Sequence, residues 1–114
     1  MNAKDEKLWL ILSEAQIANK QYKNALESLN KAEEINSNIS EIFFAKSNVY
    51  LKISQQNNAK IALEKGLRID PNNYNAFFQL GNIFLMEKNY LKAIDLFEKS
   101  VKINPNFWQA INNQ

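Results

Sequence analysis

Residues 74–107 read YNAFFQLGNIFLMEKNYLKAIDLFEKSVKINPNF, and this stretch decides the fold. Phe77, Leu80, Gly81 and Phe84 fall at i, i+3, i+4 and i+7, which lines them along one side of a helix. After a polar break at Lys88-Asn89, Ala93, Ile94, Phe97, Val101 and Ile103 mark a second helical face. Pro105 stops that second helix, because proline lacks the N–H that helix continuation needs. The segment therefore predicts helices over 74–87 and 90–103, joined by a short turn.

The same pattern returns twice upstream, each time displaced by 34 residues, over 6–39 and 40–73. Bulky residues open the copies at Trp9, Phe43 and Phe77, and small ones follow at Ser13, Ser47 and Gly81. Ala25, Ala59 and Ala93 recur, then Leu29, Leu63 and Phe97, then the small Ala32, Gly66 and Ser100. Isoleucine stands at Ile35, Ile69 and Ile103, and Pro71 and Pro105 close the last two copies, with Ser37 in the matching place of the first. Four more helices are predicted, over 6–19, 22–35, 40–53 and 56–69, with Asn residues beside the prolines available to cap the helices that follow. Small positions let helix backbones approach where helices cross. Gly66 is telling, because mid-helix glycine costs about 1 kcal/mol against alanine, so something is expected to pack tightly on it.

Composition removes several function classes. The chain has no cysteine and no histidine, which excludes disulfides, the usual zinc ligand sets and the Ser-His and Cys-His nucleophile pairs. No metal or cofactor is expected, and the scattered acids Glu27, Glu33 and Glu34 read as solvated faces or lysine partners rather than a catalytic pair. The 14 basic and 12 acidic residues give a net charge of +2, spread over the three copies, so no stretch can neutralise a run of phosphates and no nucleic-acid partner is expected. No run of about 18 apolar residues is present, so direct membrane insertion is not expected, and no apolar signal segment follows Met1. The expected location is cytoplasmic, or the soluble domain of a longer protein.

The repeat resembles the tetratricopeptide repeat (TPR) family, with its pattern W-x2-L-G-x2-Y, A-x3-F and P. The third copy matches best, through Phe77-x2-Leu80-Gly81-x2-Phe84, Ala93-x3-Phe97 and Pro105. The first offers Trp9-x2-Leu12-Ser13, Tyr22 and Ala25-x3-Leu29, while the second carries Lys46 where leucine is usual and Gln56 where tyrosine is usual. The resemblance implies an all-α fold, an α-α superhelix (TPR solenoid) of three antiparallel helix pairs with a C-terminal helical stub, forming a single domain over 1–114. It implies no enzyme, but a scaffold or assembly factor that holds a protein or peptide, not a small-molecule substrate.

In that family the first helix of each pair lines a concave face where ligands lie. Carried over by position, the peptide-binding groove comprises Leu10, Glu14 and Ile17, then Phe44, Asn48 and Leu51, then Phe78, Gln79, Asn82 and Leu85. Asn48 and Asn82 can each donate and accept to a peptide backbone, and the apolar rows can take side-chain anchors. The same residues also read as scaffold, with a partner bound elsewhere. Family members that clamp a chaperone's C-terminal carboxylate use Lys and Asn in the first copy, Asn in the second, and Lys and Arg in the third. The matching positions here hold Leu10, Glu14, Ala45, Asn75 and Gln79, so that ligand is not expected.

After Pro105 the residues Ala110 and Ile111 match the start of a fourth copy, so 107–114 reads as a partial capping helix. A stub this short covers the last apolar face only in part. Either the chain is excised from a longer protein, or the exposed end packs on another copy as a homodimer through Phe107 and Trp108, or the stub alone caps the stack.

Overall fold

The computed structural model describes residues 5–106. Six helices follow in order, α1 (Glu6–Ala18), α2 (Tyr22–Ile35), α3 (Ser40–Lys52), α4 (Gln56–Ile69), α5 (Tyr74–Met86) and α6 (Tyr90–Ile103). Every second helix of a pair has the expected bounds, and every first helix ends one residue sooner than the periodicity predicts. The cause is a shared turn. Lys20, Ser54 and Lys88 all adopt positive φ, at 62°, 62° and 63°. This left-handed residue ends each helix with paired bonds back into its last turn: Lys20 N–H donates to the Ile17 carbonyl (3.0 Å) and Gln21 N–H to that of Gln16 (2.8 Å). The starts of α1, α5 and α6 are capped by side chains. Asp5 accepts from Lys7 N–H, Asn73 from Ala76 N–H and Asn89 from Lys92 N–H.

The chain divides into two compact units, Met1–Ile69 and Asp70–Gln114. In the first, α1 pairs with α2 and α3 with α4, while α2 also packs on α3. Ala25, Leu29, Ala32, Ile42 and Val49 form a fully buried cluster, and Trp9, Leu10, Ile17, Leu26, Ile39 and Ala45 pack around it. Burial of each such aliphatic side chain is worth about 1.5–3 kcal/mol before entropy is counted. The small Ser13 and Ser47 are buried in the first helices of their pairs, each donating its hydroxyl to the carbonyl three residues back, Leu10 at 2.6 Å and Phe44 at 2.7 Å. Those bonds satisfy the hydroxyls inside the core.

Gly66 shows why it stays glycine. A Cβ there would lie within 2.9 Å of Cδ1, Cε1 and Cζ of Phe44, so the ring rests directly on the α4 backbone. Lys46, in the leucine position, is buried at 9% exposure and forms an ion pair with Glu33 of α2. Its Nζ lies over the Phe43 ring, 6.0 Å from the centroid. The unusual lysine thus ties α3 to the preceding pair.

In the second unit α5 and α6 form one helical hairpin. Ala76, Leu80, Ile83 and Phe84 of α5 are buried together with Ala93, Leu96 and Ser100 of α6. Ser100 Oγ donates to the Tyr74 carbonyl at 2.9 Å. Gly81 makes the close approach, since a Cβ there would stand 2.7 Å from Phe97 Cε1.

Candidate functional site

The expected groove residues all lie on the first helix of a pair. In the first unit, Leu10, Glu14 and Ile17 occupy one side of α1 at i, i+4 and i+7, and Phe44, Asn48 and Leu51 occupy the same positions on α3. Helices α1 and α3 touch. Glu14 and Asn48 are exposed, while Leu10, Ile17, Phe44 and Leu51 are half-buried. Two polar side chains therefore reach solvent between apolar ones that keep part of their surface open. The apolar members are shared with the scaffold: Leu10 and Ile17 pack on the buried cluster, and the Phe44 ring lies on Gly66.

In the second unit, Phe78, Gln79 and Asn82 are half-buried on α5 and Leu85 is 45% exposed. Phe78 packs its ring against Phe97, with centroids 5.8 Å apart and planes tilted by 48°. Phe97 in turn covers Gly81. Phe78 is thus held in an aromatic pair with a ring that itself rests on the α5 backbone.

Three features had no precise forecast in the pattern. Lys65 joins Lys46 at the Phe43 ring, its Nζ 5.9 Å from the centroid, and both border a polar cleft of about 200 Å³ shared with Tyr50 and Asn58. Helix α6 keeps further apolar residues open beside its buried side, with Leu91 at 84% and Ile94 at 52% exposure. Helix α1 exposes Ile11 at 61%. Their helical spacing was visible; whether a neighbour covers them was not. Phe107 and Trp108, expected to carry self-association, and the expected capping helix 107–114 lie outside the described residues.

Among the described residues no group of three or more acidic side chains is placed to hold a metal ion. No described helix is long and apolar enough to cross a membrane.

Sequence profiles described as "Tetratricopeptide repeat" match residues 6–39, 40–73 and 74–107. No curated protein sequence matches the chain. Among solved structures, MamA superposes with a TM-score of 0.88 at 18% identity, over 95% of this chain and 63% of that one. This chain thus spans less than two thirds of the length of MamA. YrrB, described as a TPR protein with an unusual peptide-binding site, gives 0.84 at 24% identity, over 92% of this chain and 54% of that one. The second TPR of Spaghetti (RPAP3), bound to the HSP90 peptide SRMEEVD, gives 0.82 at 16% identity, over 90% and 95%. The all-helical architecture of three helix pairs is that of these repeat solenoids.

Proposed function

The chain belongs to the tetratricopeptide-repeat family, and from that premise we propose that it is a non-enzymatic protein-interaction domain, a scaffold or assembly factor whose first helices hold a peptide or helix of a partner. The observation that carries this reading is the exposure pattern on those helices. Asn48 reaches solvent between half-buried Phe44 and Leu51, and Glu14 does the same between Leu10 and Ile17. A polar centre that can pair with a peptide backbone, flanked by apolar surface for anchors, is the chemistry such recognition uses. By repeat position, Phe78, Gln79, Asn82 and Leu85 are the corresponding residues of α5, with Asn82 half-buried and Leu85 exposed. Structural neighbours that hold peptides, YrrB and the RPAP3 repeat, support the class of ligand. The ligand itself differs from the acidic HSP90 tail, because Leu10, Glu14, Ala45, Asn75 and Gln79 offer no cation to a carboxylate. The exposed Glu14 favours a peptide with a basic residue. The work takes place in the cytoplasm or in the aqueous domain of a longer protein.

Selection of random peptides on the chain tests this, beside a variant with Asn48→Ala and Leu85→Glu. Both positions are exposed, so the variant keeps its fold. Enriched peptides sharing an apolar and basic motif, lost on the variant by at least about tenfold in affinity, are expected. The same peptides surviving on the variant would sink the assignment of these positions.

A second reading rests on the open stripe of α6: self-association through the C-terminal end. It is measured by mass against concentration, as described next.

A further inference from the structure

We infer that copies of this chain associate head to tail, with α1 of a second copy covering the open stripe of α6. The inference rests on the self-association reading and names the surface that the C-terminal end receives.

Helix α6 is apolar on two sides. Ala93, Leu96 and Ser100 are buried in the hairpin with α5. Ile94, Phe97 and Val101 line an open groove of about 550 Å³ edged by Glu98 and Lys102. A helix with two apolar sides needs two partners, and within its unit α5 supplies one.

The chain itself contains the template for the second partner. Two repeats back, Ile94, Phe97 and Val101 correspond to Leu26, Leu29 and Glu33 of α2. On α2 that side is covered by α3, through Ile42, Ala45 and Val49, with Lys46 closing the ion pair to Glu33. The matching four residues of α1 are Leu8, Ile11, Leu12 and Ala15. Ile11 is 61% exposed and Ala15 is also exposed, while Leu8 and Leu12 are half-buried. So α1 presents a face of the α3 kind that is still open, and α6 presents a face of the α2 kind that is still open.

Charge selects this pairing. Where α2 and α3 set Glu33 against Lys46, α6 has Val101 and α1 has Leu12. Both halves of the ion pair are replaced by apolar residues together, so docking α1 on α6 strands no ion. A helix bearing lysine at that position, as α3 does, would leave an ammonium against Val101, which costs several kcal/mol if buried unpaired. Because the two faces differ, each junction leaves one of each kind free, and association builds open chains rather than stopping at a dimer. One helix-on-helix junction is at the small end of specific interfaces, so weak association is expected.

Sedimentation equilibrium on the full chain, from about 10 to about 500 μM, tests it, since weak assembly shows only by mass action. The weight-average mass is expected to climb with concentration past twice the 13.2 kDa of one chain. Ile11→Lys and Ile94→Lys should each weaken association at least about tenfold, by placing a charge in the junction. Both side chains are more than half exposed, so the single chains fold, as far-UV circular dichroism would verify. An equimolar mixture of the two variants should recover association but stop at a dimer, because one intact face remains on each. Wild type at single-chain mass throughout overturns both this inference and the C-terminal self-association reading. A dimer dispersed by Ile94→Lys but not by Ile11→Lys keeps the C-terminal reading and overturns the role of α1, pointing to α6 against α6. Variants that stay monomeric when mixed also overturn it.

Discussion

The hairpins α3–α4 and α5–α6 solve one packing problem in opposite ways. In α3–α4 the glycine is on the second helix, Gly66, and the ring that fills its space, Phe44, is on the first. In α5–α6 the glycine is on the first helix, Gly81, and the ring, Phe97, is on the second. At Gly81's position α3 has Ser47, and at Gly66's position α6 has Ser100, both buried. What is maintained from hairpin to hairpin is a small residue facing space and an aromatic ring to fill it, not the helix on which each resides. Close packing makes this swap workable, because a core registers volume before it registers which chain segment supplies it.

The comparison breaks most readily by filling the two gaps. Gly66→Val and Gly81→Val are each expected to cost about 3 kcal/mol in urea unfolding, since a Cβ and two methyls must displace an aromatic ring. The specific expectation lies in the rescue. Phe44→Ala should remove most of the penalty of Gly66→Val and none of that of Gly81→Val, and Phe97→Ala should do the reverse. Coupling within each pair and additivity across pairs is the signature of two local ring-on-glycine contacts. Equal rescue by either truncation would mean that the glycines serve something other than these rings.

A smaller effect sharpens the second difference between the same hairpins. Where α5 has the buried Leu80, α3 has Lys46, held by Glu33. Replacing Lys46→Leu alone makes α3 resemble α5 but leaves a carboxylate facing leucine. Glu33 keeps 33% of its side chain in solvent, so the cost is expected to be about 1 kcal/mol rather than the larger penalty of a fully buried orphan charge. Adding Glu33→Val, the residue type at the equivalent position of α6, should restore wild-type stability or exceed it. A double variant less stable than the single one would show that the ion pair does more than replace apolar packing.

Much of this was readable from residue spacing. Bulky, small and alanine positions recurring at one period gave all six helices, and the energetic oddity of Gly66 gave a close contact before its partner was known. The partner was not readable, because Phe44 precedes Gly66 by 22 residues on another helix, and periodicity within helices carries no information about which ring crosses which backbone. Lys46 stood out as a breach of the pattern, yet its mate Glu33 looked like one of many surface acids. The candidate groove was legible only as a set of repeat positions. How far Phe44 and Phe78 are committed to Gly66 and Phe97 behind them depends on the crossing of helices, which no position in the repeat encodes. The openness of Ile11 and Ile94 was not readable for a related reason: an aliphatic residue at helical spacing reads alike whether a neighbour covers it or solvent does.

The smallest expected effect concerns a feature in which the hairpins do not differ. Lys20, Ser54 and Lys88 end the first helix of every pair in the left-handed region, though none is glycine. Each makes the same local bond, its N–H donating to the carbonyl three residues back: Ile17 (3.0 Å), Leu51 (3.3 Å) and Leu85 (3.0 Å). For a residue with a Cβ that conformation costs on the order of 1 kcal/mol, and glycine removes the cost. Glycine also gives the unfolded chain more freedom, which takes back roughly half. Each of Lys20→Gly, Ser54→Gly and Lys88→Gly is therefore expected to stabilise by about 0.5 kcal/mol, a rise of ~2–4 °C in Tm for a chain of this size. The sign is opposite to that at Gly66 and Gly81: glycine is lost at a cost where a ring fills its space, and gained at a profit where the backbone needs positive φ. Because the turns are alike, the three gains should be equal. A gain confined to one turn would show that the other two are held in the left-handed region by side-chain contacts that glycine deletes.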